Sequence, residues 1–199
     1  MSIFPIDWKF EGNLKVLSEV LFMSIDLDQV PNVVDIELEL LGSLLLKDGL
    51  VIPNVAGILK PDDFFYSVHQ IIYKIIINLH QNGSVPNILA IVEQLRKRQD
   101  FKDNEKVFLK VALALGDVAF TTAYSIDHAN LIKEKSILRS LIHAGNSIVR
   151  NASDPNASSD DIIKQTENLL DHIKFSFDLA SSTNFADFFK KSSNSTSTP

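Results

Sequence analysis

The sequence has no cysteine, which excludes disulfides, a thiolate nucleophile and sulfur-ligated zinc, and fits a reducing compartment such as the cytoplasm. It has no Gly-x-x-x-x-Gly-Lys-Ser/Thr run. Its seven glycines are scattered at helix ends or, for Gly145, inside a helical seam. No glycine pair is placed to cradle a phosphate, so nucleotide hydrolysis is not expected of this chain, nor is any cofactor. The five histidines include no pair at the i, i+4 spacing of a helical zinc site, so no metal is expected either. Basic patches are missing as well. The formal net charge is −6, and the longest basic cluster, Arg96–Arg98 followed by Phe101, reads as a solvated helix end. Tight nucleic-acid binding is therefore not expected. The uncharged stretch from Ile75 to Val92 is cut by Asn82, Gly83 and Pro86, and Asp7, Lys9 and Glu11 stand where a signal peptide needs apolar residues. The sequence gives no reason to expect a membrane span.

What remains is 199 residues, 45% hydrophobic and 22% charged, enough for one compact domain with an appendage. From Asp35 the apolar pattern is helical: Ile36, Leu40, Leu41, Leu44 and Leu45 share a stripe that Lys47-Asp48-Gly49 terminates. A short helix follows over about Ile52–Leu59. Lys60-Pro61-Asp62-Asp63 reads as the start of a third helix, with Phe64, Val68, Ile71, Ile72, Ile75 and Leu79 as its core stripe and Asn82-Gly83 as its end. Asn87 is placed to cap a fourth helix carrying Ile88, Ile91, Val92 and Leu95, and a fifth is expected from about Asn104 to Leu115.

The last third differs. One long helix from Ile126 to about Asn151 carries Leu131, Leu138 and Gly145 seven apart, and Ile142 and Val149 likewise. A proline turn follows, which Ser158 or Ser159 ends by capping the next helix. That helix places Ile162, Ile163, Thr166, Leu169, Leu170 and Ile173 on one side. Two long helices with heptad-like seams and a tight turn make a helical hairpin. No alternating strand pattern is present, so the expected class is all-α: an N-terminal extension (1–30), a helical head (31–120), a helical hairpin (124–176) and a flexible tail or linker (177–199).

One cluster invites a catalytic reading. Asp62, Tyr66, His69 and Tyr73 are spaced to share a helical face, and a histidine oriented by a carboxylate serves as a base or phosphoryl acceptor. The pattern supplies no nucleophile, no oxyanion donor and no second ligand. A capping aspartate beside a half-buried polar and aromatic rim accounts for it better, and no catalytic residue is assigned. His80 in a helix C-terminal turn, and His128, His143 and His172 on long helices, carry no more signal.

Read together, PNVVDIELELLGSLLL (31–46), LKPDDFFYSVHQIIYKII (59–76), GSVPNILAIVEQLRKR (83–98), YSIDHANLIKEKSILRSLIHAGNSIV (124–149) and IIKQTENLLDHI (162–173) resemble the N-terminal domain of bacterial replicative DNA helicases of the DnaB type. The positions that carry the likeness are Glu37 and Gly42, then Pro61, Phe64, His69 and Tyr73, then Leu138, Arg139, Leu141 and Ile142. It departs at Asn87, where the family has Asp, at DNEKVFL, where it has Gly-Gly, and at Gly145, where it usually has alanine. The family continues into a RecA-like ATPase domain, whereas this sequence stops at Pro199. The expectation is therefore either a fragment of an ATP-dependent DNA helicase or a stand-alone adaptor that binds and regulates a full-length helicase.

The resemblance implies a scaffold and not an enzyme. Such domains form a collar, self-associate through their hairpins, and dock primase and in some systems a loader, using the head and the hairpin's outer face. Leu131, Leu138, Ile142, Ile163, Leu170 and Ile173 are the candidates for self-association.

Overall fold

The structure, a computed structural model, describes residues 30–119 and 121–194, with side-chain surroundings described as far as Ser176. Contacts divide the chain into two units, Met1–Pro31 and Asn32–Pro199. Among the described residues the second contains seven α-helices and no strand. The expected N-terminal extension lies, but for Val30, outside the described residues.

Helix α1 (Val34–Ser43) carries Leu40 and Leu41, and Leu44 follows it, all three fully buried. It crosses α5 (Phe101–Val118) closely at Gly42. A Cβ there would lie 2.7 Å from the Leu115 carbonyl oxygen and 2.9 Å from the Ala119 Cβ, so the crossing tolerates only glycine without a shift. A 3-10 turn, Leu46–Gly49, follows, with Gly49 at φ 78°. Helix α2 (Ile52–Ile58) buries Ile52, Val55 and Ile58.

The third helix does not begin at Pro61. Pro61–Asp63 forms a separate 3-10 turn, Phe64 and Tyr66 are extended, and α3 runs from Ser67 to Gln81. The break has a polar cause: the Asp63 carboxylate accepts the Lys60 amide at 2.7 Å, and the Phe65 amide donates to Glu37 at 2.7 Å instead of to a helical carbonyl. The buried face of α3 is His69, Ile72, Tyr73 and Ile76. Phe64 is buried from the extended segment, while Val68, Ile71, Ile75 and Leu79 are half-buried and pack against the core.

Asn87 caps α4 (Ile88–Arg96), its side chain accepting the Ala90 amide at 3.0 Å, and Ile91 and Leu95 are fully buried. Helix α5 begins at Phe101, earlier than expected, because Phe101 is itself core and its ring stacks on Phe108 at 6.3 Å.

Helices α6 (Ser125–Ala152) and α7 (Ser159–Asn194) form the antiparallel hairpin. Ala129 and Ile132 of α6 join the head's core, so one core spans both parts. Near the tip, Asn151 donates to Gln165 at 3.1 Å, which sets the register of the two arms. Beyond Ala144 no described hairpin residue is buried. Helix α7 continues past Phe177 to Asn194, where the sequence pattern suggests a fading tail. From Ser159 to Asn194 there is no proline or glycine to stop it. The side chains of Phe185, Phe188 and Phe189 lie outside the described residues.

Candidate interaction surface and its polar support

The residues whose spacing invites a catalytic reading are not one cluster. Asp62 and Tyr66 are exposed, whereas Tyr73 is buried beneath them. The Tyr73 hydroxyl donates to the Leu59 carbonyl at 3.1 Å, and its ring packs on Phe64 at 4.8 Å between centroids. Burial, and then the negative charge of Asp63, push its phenol well above the ordinary tyrosine range.

His69 is buried and takes its partner from another helix: Nδ1 lies 2.7 Å from Oε2 of Glu37, which is fully buried. The other Glu37 oxygen, Oε1, accepts the Phe65 amide. Beside this pair sits a second buried carboxylate, Asp63. It accepts from the Lys133 ammonium at 3.0 and 3.1 Å and from the Ser136 hydroxyl at 2.8 Å, in addition to the Lys60 amide. Arg139, one turn further along α6, donates to the Asp63 carbonyl and lies over the Phe65 ring at 5.6 Å. Its guanidinium is held below the ordinary arginine range by burial, an effect opposed by Glu37 and Asp63.

These contacts have one geometric result: three residues of α6 grip a single turn of the head, 60–65. A further tie joins Ser43 of α1 to Ser125 at the start of α6, hydroxyl to hydroxyl at 2.9 Å. Among the described residues, every buried side-chain nitrogen or oxygen has a hydrogen-bond partner. The network therefore leaves no buried polar side-chain atom unpaired, and its Asp63 branch joins head and hairpin. Its members are readable in part. Glu37 stands four residues before Leu41 and seven before Leu44, on the buried stripe, and a charge at such a position signals a buried partner. The identity of the partners, 32 and 70 residues away for Glu37–His69 and Asp63–Lys133, has no local signal.

Among the described residues no helix is long and apolar enough to cross a membrane, and no group of three or more His, Asp or Glu is placed to hold a metal ion. His143 and His172 are exposed, and both line an open cleft of about 430 Å³ between the two hairpin arms, with Arg139, Ile173 and, from the head, Asp62.

The hairpin presents a different kind of surface on its far side. The head-facing positions of α6 are Ser125, Ala129, Ile132, Lys133, Ser136 and Arg139, so the stripe Leu131, Leu138, Ile142, Gly145, Val149 is turned away from the head. Leu131 and Leu138 are half-buried, whereas Ile142 is 37% and Val149 52% exposed. On α7, Ile163 and Leu170 are 56% and 46% exposed. Of the self-association candidates, only Ile173 is not on this face; half-buried, it lines the cleft between the arms on the head side. Leu141, 42% exposed, stands beside the outer stripe and is not among the candidates that heptad spacing selects.

A family model described as the DnaB-like helicase N terminal domain matches residues 29–134, more than half of the chain. The chain belongs to that family. Among its relatives is a protein named replicative DNA helicase DnaB from Rhodothermus marinus, 28% identical over 138 residues, covering 69% of this chain and 14% of that protein. Another of the same name, from Leifsonia xyli, is 27% identical over 110 residues, covering 55% of this chain and 23% of the relative. One from Nostoc reaches 32% over 123 residues, 60% of this chain and 13% of the relative. The chain thus spans less than a quarter of the length of these DnaB helicases. The crystal structure of the N-terminal domain of DnaB helicase from Mycobacterium tuberculosis shares the fold, with a TM-score of 0.63 at 23% identity over 71% of this chain and 98% of that one. The DnaB-type all-α head and hairpin are thereby placed in the family fold.

Proposed function

We propose that this DnaB-type domain is a collar and docking platform in the cytoplasmic replication machinery, self-associating through its hairpin and receiving primase, and in some systems a helicase loader, on its exposed surfaces. ATP-driven DNA unwinding belongs, in this reading, to the ATPase part of a replicative helicase. The observation that carries it is the apolar stripe on the far side of the hairpin.

Exposed leucines scattered singly are ordinary on protein surfaces. Here Leu141, Ile142, Val149, Ile163 and Leu170 lie on adjacent arms of one hairpin and together leave the equivalent of about two whole side chains in water. At roughly 1.5–3 kcal/mol per side chain buried, and counted on both copies, covering the face contributes roughly 6–12 kcal/mol. Association costs about 4–15 kcal/mol in lost freedom. The two are comparable, so a concentration-dependent dimer follows.

The test is light scattering over a dilution series, alone and with the C-terminal domain of the cognate primase. Val149→Asp and Leu170→Asp, each a charge on the stripe, should give monomers at concentrations where the unmodified chain pairs. A chain that is monomeric at every concentration, or variants that pair as well as the parent, would overturn the reading.

A further inference from the structure

We infer that Gly145 marks the point of closest approach between two copies of the hairpin, a hollow that receives an apolar side chain of the second copy. The inference rests on the self-association proposed above and specifies how that face closes.

Other glycines of the chain have a local reason to be glycine. Gly42 and Gly116 are each in close contact: a Cβ would meet a neighbour at 2.7 Å and 3.0 Å respectively. Gly49 and Gly83 adopt φ of 78° and 72°, which disfavour any side chain. Gly145 has neither reason. It lies inside α6 with helical backbone, and a Cβ there would meet nothing within 4 Å. Within one copy, glycine therefore only weakens the helix relative to alanine, and the missing methyl benefits no contact. The benefit lies outside the single chain.

Its position says where. Gly145 follows Ile142 by three residues and precedes Val149 by four, with Leu141 alongside, so exposed apolar side chains bound it. A small residue ringed by larger ones one helical turn away is the hole of a knobs-into-holes contact. The same face also carries knobs. With Asn151 opposite Gln165, Leu170 of α7 comes nearly level with Gly145 of α6. Hole and knob at similar height on the two arms of one hairpin make the face self-complementary, as an isologous pair requires. This favours a second copy as the occupant over an unrelated protein.

Sedimentation velocity on the full chain, with thermal unfolding alongside, separates the possibilities. Gly145→Ala should raise the unfolding midpoint, since it improves the helix and clashes with nothing in the monomer, yet weaken pairing about tenfold; Gly145→Leu should weaken it by roughly a hundredfold. Those opposite signs are the signature of a hollow filled only in the pair. If Gly145→Ala leaves pairing unchanged or tightens it while Val149→Asp still abolishes it, the face stands and the close approach is wrong. If Val149→Asp has no effect, the self-association reading itself fails.

Discussion

Replacing Asp63 by asparagine removes one charge from the junction while keeping the size of the side chain. Lys133 then holds its ammonium in a site where the residue is only 7% exposed, with no counter-charge at the 3.0 Å it now has. Removing one partner of a buried pair costs about 3–5 kcal/mol, because the other is left uncompensated. The new side-chain amide would still offer an oxygen to the Lys60 amide or the Ser136 hydroxyl, so the lower end, about 3 kcal/mol, is expected. For a folded unit of this size that is a drop of roughly 6–12 °C in Tm. Lys133→Met leaves Asp63 with the Lys60 amide and the Ser136 hydroxyl and should cost less, about 2 kcal/mol. The decisive measurement is the double variant, Asp63→Asn with Lys133→Met. An apolar methionine beside a neutral asparagine has no buried charge to strand, and stability should return to within about 1 kcal/mol of the parent. Urea unfolding followed by circular dichroism gives all three values. A single Asp63→Asn variant losing under about 1 kcal/mol, or a double variant losing the sum of the two singles, would refute the view that this pair is buried, coupled and essential to the joint.

Gly42→Ala should destabilise by about 1–3 kcal/mol, since its methyl would push α1 away from the Leu115 carbonyl; thermal unfolding checks this, and the loss should exceed any change at Gly145, where space is open. Tyr73, its phenol held above the ordinary range chiefly by burial, contributes stability that is complete below the unfolded value of about 10 and declines as the pH rises past it, because only the unfolded chain then releases the proton readily. Unfolding midpoints measured upward from neutral pH should show that alkaline decline in the parent, and a reduced one in Tyr73→Phe.

Helix content and order are legible because they depend on short-range spacing. Leu40, Leu41 and Leu44 announce α1, and Asn87 announces the start of α4. The start of α3 is misleading for a reason of the opposite kind. Pro61, Asp62 and Asp63 are a good helix opening locally, but Glu37 takes the Phe65 amide from a distance of 28 residues and the turn stays separate. Tertiary hydrogen bonding overrides local preference, and it displaces the buried face of α3 toward His69 and Tyr73. Heptad spacing selects exposed apolar positions such as Ile142, Ile163 and Leu170, but spacing alone does not say which flank of a hairpin the head covers. Ile173, selected by the same spacing, lines the cleft on the head side.

The junction and the stripe divide α6 between them. From Ser125 to Arg139 its inward residues are held by the head, through Ala129 and Ile132 in the core and Lys133, Ser136 and Arg139 on the turn 60–65. From Ile142 onward the helix makes none of these contacts, and Ile142 and Val149 are exposed to solvent. A helix fixed at one end by a buried ion pair and its neighbouring hydrogen bonds, and free at the other, transmits orientation, because an α-helix curves only gently over this length. Two hairpins joined at their distal stripes would therefore also set the relative placement of two heads, without any contact between the heads. Weakening the proximal half, as with Asp63→Asn, should loosen that placement while leaving the stripe able to pair. Charging the distal half should separate the copies while leaving each one folded. The two classes of variant ought to be distinguishable in one experiment that records unfolding and mass together, and a stripe variant that unfolds the head would show that the division is false.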